Sequence, residues 1–178
     1  MREQDTLRRA FETKQWTEEL EQDARTRASK FPEDAEALLW AGAACTHASP
    51  KGQLRGRAGR RCNLEDGERY LLRCIDLSDK ECIAQWLLVQ NLALQYGREA
   101  ESAKRMVLHL QKGVGPIDPA ILLETAEIVH RALDQRGLYM CRDAVGRDVL
   151  EATRQRAPQQ TLEELKITFT QPVQRTRK

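Results

Sequence analysis

Aromatic residues supply only 5% of this 178-residue chain, and β-branched residues are sparse. That scarcity disfavours sheets, whose pleated faces are filled by such side chains. Ala, Leu, Glu, Gln and Arg dominate instead and favour helix. There are only six prolines, and they fall between apolar-periodic segments. Cysteine occurs five times, an odd number, with no Cys-x-x-Cys pair. That argues against an even disulfide framework and fits buried or free thiols in a reducing compartment. The N-terminal MREQDTLRRAFETKQW has no apolar core for export and carries acids that transit peptides avoid. No stretch reaches the roughly 20 apolar residues of a membrane span. Cytoplasm or nucleus is the expected location. Net charge is +2, so the chain as a whole is no polyelectrolyte; its charge is unevenly placed instead.

Catalytic signatures are equally scarce. His47, His109 and His130 lie in helical patterns, with no GxSxG nucleophile motif beside them. Glu127 and His130 stand only three apart, so HExxH is absent, and Glu127-x-x-His130 lacks the second motif of a di-iron site. Gly113-x-Gly115 lacks the third glycine and the preceding strand of a dinucleotide loop. Cys45, His47 and Cys62 offer one close pair and no evident fourth zinc ligand. The expectation is a protein with no enzymatic activity, no metal, no cofactor and no small-molecule substrate.

What the chain does have is a mid-chain stretch, 82–96, with no charged residue in a sequence that is 31% charged. Ile83, Trp86, Leu87, Leu88, Val89, Leu92 and Leu94 go round every side of a helix. A helix that is apolar all round is buried all round, so 82–96 reads as the central helix with others packed on both sides.

The rest of the chain reads as helices with short links. Residues 6–14 form a first candidate, with Leu7, Ala10 and Phe11 on one side. Thr17 can cap a second, whose apolar positions are Leu20, Ala24, Ala28 and Phe31. Pro32 ends it. Asp34 can cap Ala35–His47, with Leu38, Leu39, Ala41, Gly42 and Cys45 as its stripe. Glu99–Lys112 turns Ala100, Ala103, Val107 and Met106 or Leu110 inward. Asp118-Pro119 is a helix start. Residues 120–136 follow, with Ile121, Leu122, Ile128, Val129, Ala132 and Leu133 inward, and Gly137 stops them. Residues 138–156 continue with Leu138, Cys141, Val145, Val149 and Ala152 until Pro158. A turn or two over 161–166, an extended Ile167-Thr-Phe-Thr-Gln-Pro172, and a basic end complete the reading. That gives about eight antiparallel helices.

Residues 16–45 resemble the second helix of one tetratricopeptide (TPR) repeat and the first helix of the next. Small or apolar Leu20, Ala24 and Ala28 precede Pro32 at the repeat boundary. Leu38, Ala41, Gly42 and Cys45 occupy the family's large, apolar, small and aromatic positions. The physics is sound on its own, since Ala and Gly let helices approach closely while larger residues fill the adjoining gap. Gly67, Leu71 and Cys74 mark a poorer copy, with Trp86 about one place out of register. Residues 82–96 and Glu99–Lys112 form a third pair. The resemblance implies an all-α fold of antiparallel helical hairpins, stacked as a short TPR-like α-solenoid or compact bundle over 1–158, followed by a partly extended or disordered tail over 159–178. It also implies a groove lined by Glu36, Leu39, Ala43, His47, Trp86 and Gln90. That set lacks the Lys and Asn with which relatives hold a terminal carboxylate; it suits a helix or extended apolar segment.

From Leu38 to Leu64 there is no acid at all. Lys51, Arg55, Arg57, Arg60 and Arg61 cluster among three glycines and a proline, which reads as an exposed basic loop inserted at 48–63. Arginine forks suit phosphate oxygens, but no aromatic is interleaved for base stacking. The expected function is a protein–protein interaction module, an adaptor or scaffold within a multi-protein complex, whose basic loop assists binding. The alternative is an RNA- or ribonucleoprotein-associated factor using the loop and the Arg175–Lys178 end.

Overall fold

The computed structural model describes residues 2–47, 57–77, 82–113 and 117–170; of residues 2–4, 57, 58, 61, 62 and 82 it describes the backbone alone. Among the described residues the fold is all-α, with no strand. Nine helices follow in order: α1 Arg2–Thr13, α2 Glu18–Lys30, α3 Ala35–His47, α4 Arg57–Leu77, α5 Cys82–Leu94, α6 Glu99–Lys112, α7 Pro119–Gln135, α8 Tyr139–Thr153 and α9 Gln159–Thr170. The chain divides into two compact units, Met1–Asn91 and Leu92–Lys178, with the boundary inside α5.

The helix starts are set by the residues that sequence singles out. Thr17 Oγ1 accepts from the Leu20 N–H at 3.2 Å. Asp34 Oδ1 accepts from Glu36 and Ala37 at 3.0 and 3.2 Å. Asp118 Oδ1 accepts from Ala120 at 2.8 Å, and Pro119 takes the first helical position. Each cap satisfies a backbone donor that the first turn leaves unpaired. Gly137 ends α7 at φ +70°. There the Leu138 N–H reaches the Leu133 carbonyl and the Gly137 N–H reaches Asp134, the paired bonds of a Schellman stop.

In the first unit α3 is the enclosed helix. Every residue from Ala37 to Thr46 is buried, and α1, α2 and α4 all pack on it. The crossing with α4 depends on two glycines. A Cβ on Gly42 would fall 2.6 Å from Leu71 side-chain atoms, and one on Gly67 would fall 3.0 Å from Cys45 Cβ. Across α2 and α4 runs a polar clasp. The Glu21 carboxylate, 2% exposed, accepts from Arg25 Nε and Asn63 Nδ2, both at 3.1 Å. Arg25 also donates to Asp66 at 2.7 Å and to Asn63 Oδ1 at 3.1 Å.

In the second unit α8 packs on α6 and α7, and α9 packs on α7 and α8. Helix contacts in both units join elements one or two places apart in the chain, the nearest-neighbour pattern of helical-repeat stacking. Leu162, Leu165 and Phe169 bury one stripe of α9, while Ile167 stays exposed.

Three expectations need correction. The basic insertion read as a loop over 48–63 is helical from Arg57 onward, because α4 starts there and carries Gly59 within its first turn. The extended reading of Ile167–Phe169 fails, and the tail expected to be partly extended from 159 is helical through Thr170: the three- and four-residue spacing of Leu162, Leu165 and Phe169 outweighs the β-branched composition. Residues 171–178 lie outside the described residues. Finally, 82–96 is not covered all round. Trp86 to Ala93 are buried, but Ile83 and Leu94 at the ends of α5 are 41% and 42% exposed, because an isolated end turn has fewer neighbours than the middle of a helix.

Candidate partner-binding site

The groove positions expected from sequence separate into two kinds. Leu39 is 8% exposed, Ala43 1%, Trp86 3% and Gln90 1%. These four are core and line neither of the clefts described below. Glu36 is exposed but engaged, accepting from Arg8 of α1 at 3.1 Å. His47 is half-buried at the end of α3. Periodicity had found the apolar face of α3; it could not tell that α1, α2 and α4 would cover it.

The basic segment is described only in part. Lys51 and Arg55 lie outside the described residues, and Arg57 and Arg61 are placed on the first turns of α4 by their backbone alone. Arg60 is turned inward, donating to the Thr46 carbonyl at 3.0 Å. It thereby satisfies a C-terminal carbonyl of α3, a structural task rather than a phosphate contact.

Among the described residues lie two open clefts. In the first unit a cleft of about 530 Å³ lies between the α2–α3 turn and α4. Arg69, Tyr70 and Arg73 line one side, and Pro32 and Glu33 the other. Its cations are already answered. Arg69 pairs with Asp66, and Arg73 lies 3.8 Å from Glu33. Burial alone would raise Asp66, but hydrogen bonds from Arg25 and Arg69 outweigh it and hold the carboxyl below its ordinary range.

The second unit carries a larger cleft, about 720 Å³, along the α8–α9 hairpin. Arg147, Leu150 and Arg154 line it from α8, and Gln159, Leu162 and Lys166 from α9. Both sets fall at i, i+3 and i+7, one stripe of each helix. Phe169 packs where a Cβ of Gly146 would lie, 2.9 Å away, which fixes an antiparallel register. Lys166 therefore stands near the level of Arg147 and Leu150, and Gln159 near Arg154. The floor is apolar and the rims are charged. Asp148 and Glu151 also line it. Arg154 approaches Glu151 only to 3.9 Å, Lys166 pairs with Glu163 at 2.8 Å, and Arg147 makes no ion pair among the described residues.

Two histidines of the second unit are perturbed by burial. His130 is 4% exposed and stands edge-on to Phe169, centroids 5.7 Å apart. Burial, then the nearby Arg142 charge, pushes its pKa below the ordinary 6.5. His109 is lowered too, by burial and then by Arg156. Among the described residues no group of three or more His, Cys, Asp or Glu is arranged to hold a metal. No helix there is long and apolar enough to cross a membrane. The chain matches no known protein family, no characterised protein and no solved structure.

Proposed function

We propose that this chain is a non-enzymatic protein-interaction module of TPR-like type, an adaptor or scaffold that holds a helical or extended segment of another protein. The observation that carries this reading is the α8–α9 cleft, an open furrow with apolar floor and charged rims on an array of stacked helices. Helix-in-groove recognition needs those features. The reading keeps the expected partner class and moves the site away from Leu39, Ala43, Trp86 and Gln90, which are core. The basic segment from Lys51 to Arg61 supplies electrostatic steering toward an acidic surface.

Affinity capture with the full chain tests this, run with and without nuclease. The same proteins are expected after nuclease treatment, and also with Arg55, Arg57 and Arg61 changed to Ser, though with slower association. Recovery of RNA that vanishes with those changes would replace this reading with a ribonucleoprotein factor.

A further inference from the structure

In the second unit each furrow between consecutive helices carries the next helix. Helix α8 lies against both α6 and α7, and α9 lies against both α7 and α8. Among the described residues no further helix lies on the α8–α9 furrow, and it is helix-shaped: two parallel stripes about two turns long, with Leu150 and Leu162 in the middle and Arg147, Arg154 and Lys166 around them. We propose that this furrow docks an acidic amphipathic helix of a partner protein, which stacks on α8 and α9 as a further helix of the array would. The proposal rests on the protein-binding reading above and narrows it to one surface and one chemistry.

Charge selects the occupant. The lining holds Arg147, Arg154 and Lys166 with Asp148 and Glu151, and Lys166 is already paired with Glu163, so Arg147 and Arg154 carry the selection. Arg147 has no ion-pair partner among the described residues, and the 3.9 Å approach of Arg154 to Glu151 is loose and solvent-exposed, so both guanidinium groups can meet new carboxylates. Leucines on the incoming helix would cover Leu150 and Leu162, and Glu or Asp on its flanks would reach the rim. The chain's own 171–178, QPVQRTRK, carries three cations and no acid, so it is repelled by the same rim.

The probe is a fluorescein-labelled, stapled helix of about sixteen residues with a Leu stripe flanked by Glu, titrated into the full chain by fluorescence anisotropy. A Lys-flanked isomer is the control. The acidic helix is expected to bind at least about tenfold more tightly than its isomer, and Arg147→Glu with Arg154→Glu to abolish that preference. Both positions are exposed, so the variant keeps its fold, checked by circular dichroism. Leu150→Gln, at a half-buried lining position, is expected to weaken both helices. Equal binding of the two helices, or a preference that survives the charge reversal, overturns the proposal. A rise of about tenfold on deleting 171–178 would make that segment the occupant and overturn it as well. If affinity capture recovers the same proteins with wild type and the charge-reversed variant, the furrow is not the site but the interaction module stands. If no protein is recovered with either, the module reading itself fails.

Discussion

Asn91 donates a hydrogen bond to Oγ1 of Thr46 at 2.9 Å across 45 residues of chain, placing a polar pair inside an otherwise apolar helix contact. Thr46 passes the bond on to the Gly42 carbonyl at 2.7 Å. The same Asn91 Nδ2 lies 2.8 Å from where a Gly67 Cβ would be. Three helices, α3, α4 and α5, therefore meet where there is no room for a methyl group.

Gly67→Ala tests that crowding. Alanine favours helix by up to about 1 kcal/mol over glycine, yet overpacking of this kind costs about 1–3 kcal/mol. Net destabilisation is expected in chemical denaturation. A neutral or stabilised protein would show that the crossing has slack.

Arg25→Ala should cost about 3 kcal/mol, because it leaves the Glu21 carboxylate buried with a charged partner removed. The double change Arg25→Ala with Glu21→Ala should recover part of that loss. A double variant no better than the single one would mean that the buried Glu21 carboxylate is not what makes the loss of Arg25 costly.

Acid should weaken the two units at different pH values. Below pH 6.5 the unfolded chain protonates His130 and His109 while the folded unit resists, since both pKa values are depressed. Their contribution is fully present above 6.5 and is lost as pH falls toward the folded values. The groups facing His130 are Asp134 on its own helix, Arg142 and Asp143 on α8, and the Phe169 ring. In the first unit Asp66 is also depressed, and its contribution persists until pH falls below its ordinary 3.8. Hydrogen exchange read from pH 7 to about pH 5 should show α7 and α9 losing protection before α2 and α4. His130→Gln should flatten that dependence, and equal loss in all four helices would contradict the assignment.

Gly146→Val drives a side chain into Phe169, which already lies 2.9 Å from the Cβ position. Protection of α9 should fall more than that of α6, measured by hydrogen exchange with mass spectrometry. Unchanged α9 protection would show that α9 does not depend on this contact.

Local chemistry was legible where one residue decides a geometry. Thr17, Asp34, Asp118-Pro119 and Gly137 set helix ends as their types dictate. Tertiary decisions were not. The apolar stripe of α3 was visible, but not that three helices would close over it. Ile167-Thr-Phe-Thr reads as a strand until Leu162 and Leu165 are added to its register. Leu138 reads as the first inward residue of α8 but is 37% exposed and stands just ahead of it. Arg147, Leu150, Arg154, Leu162 and Lys166 share one cleft only because α9 folds back along α8, and the last third of that helix, 167–170, reads as extended in the sequence.

Salt dependence tests the central claim most directly. The partner recovered by affinity capture is titrated calorimetrically into the full chain at about 50 and 200 mM salt. A protein segment held over an apolar floor predicts a saturable one-to-one complex whose affinity falls by less than about tenfold across that range. A fall of roughly a thousandfold, as counterion release from nucleic acid gives, or heat that appears only when nucleic acid is present, would contradict it.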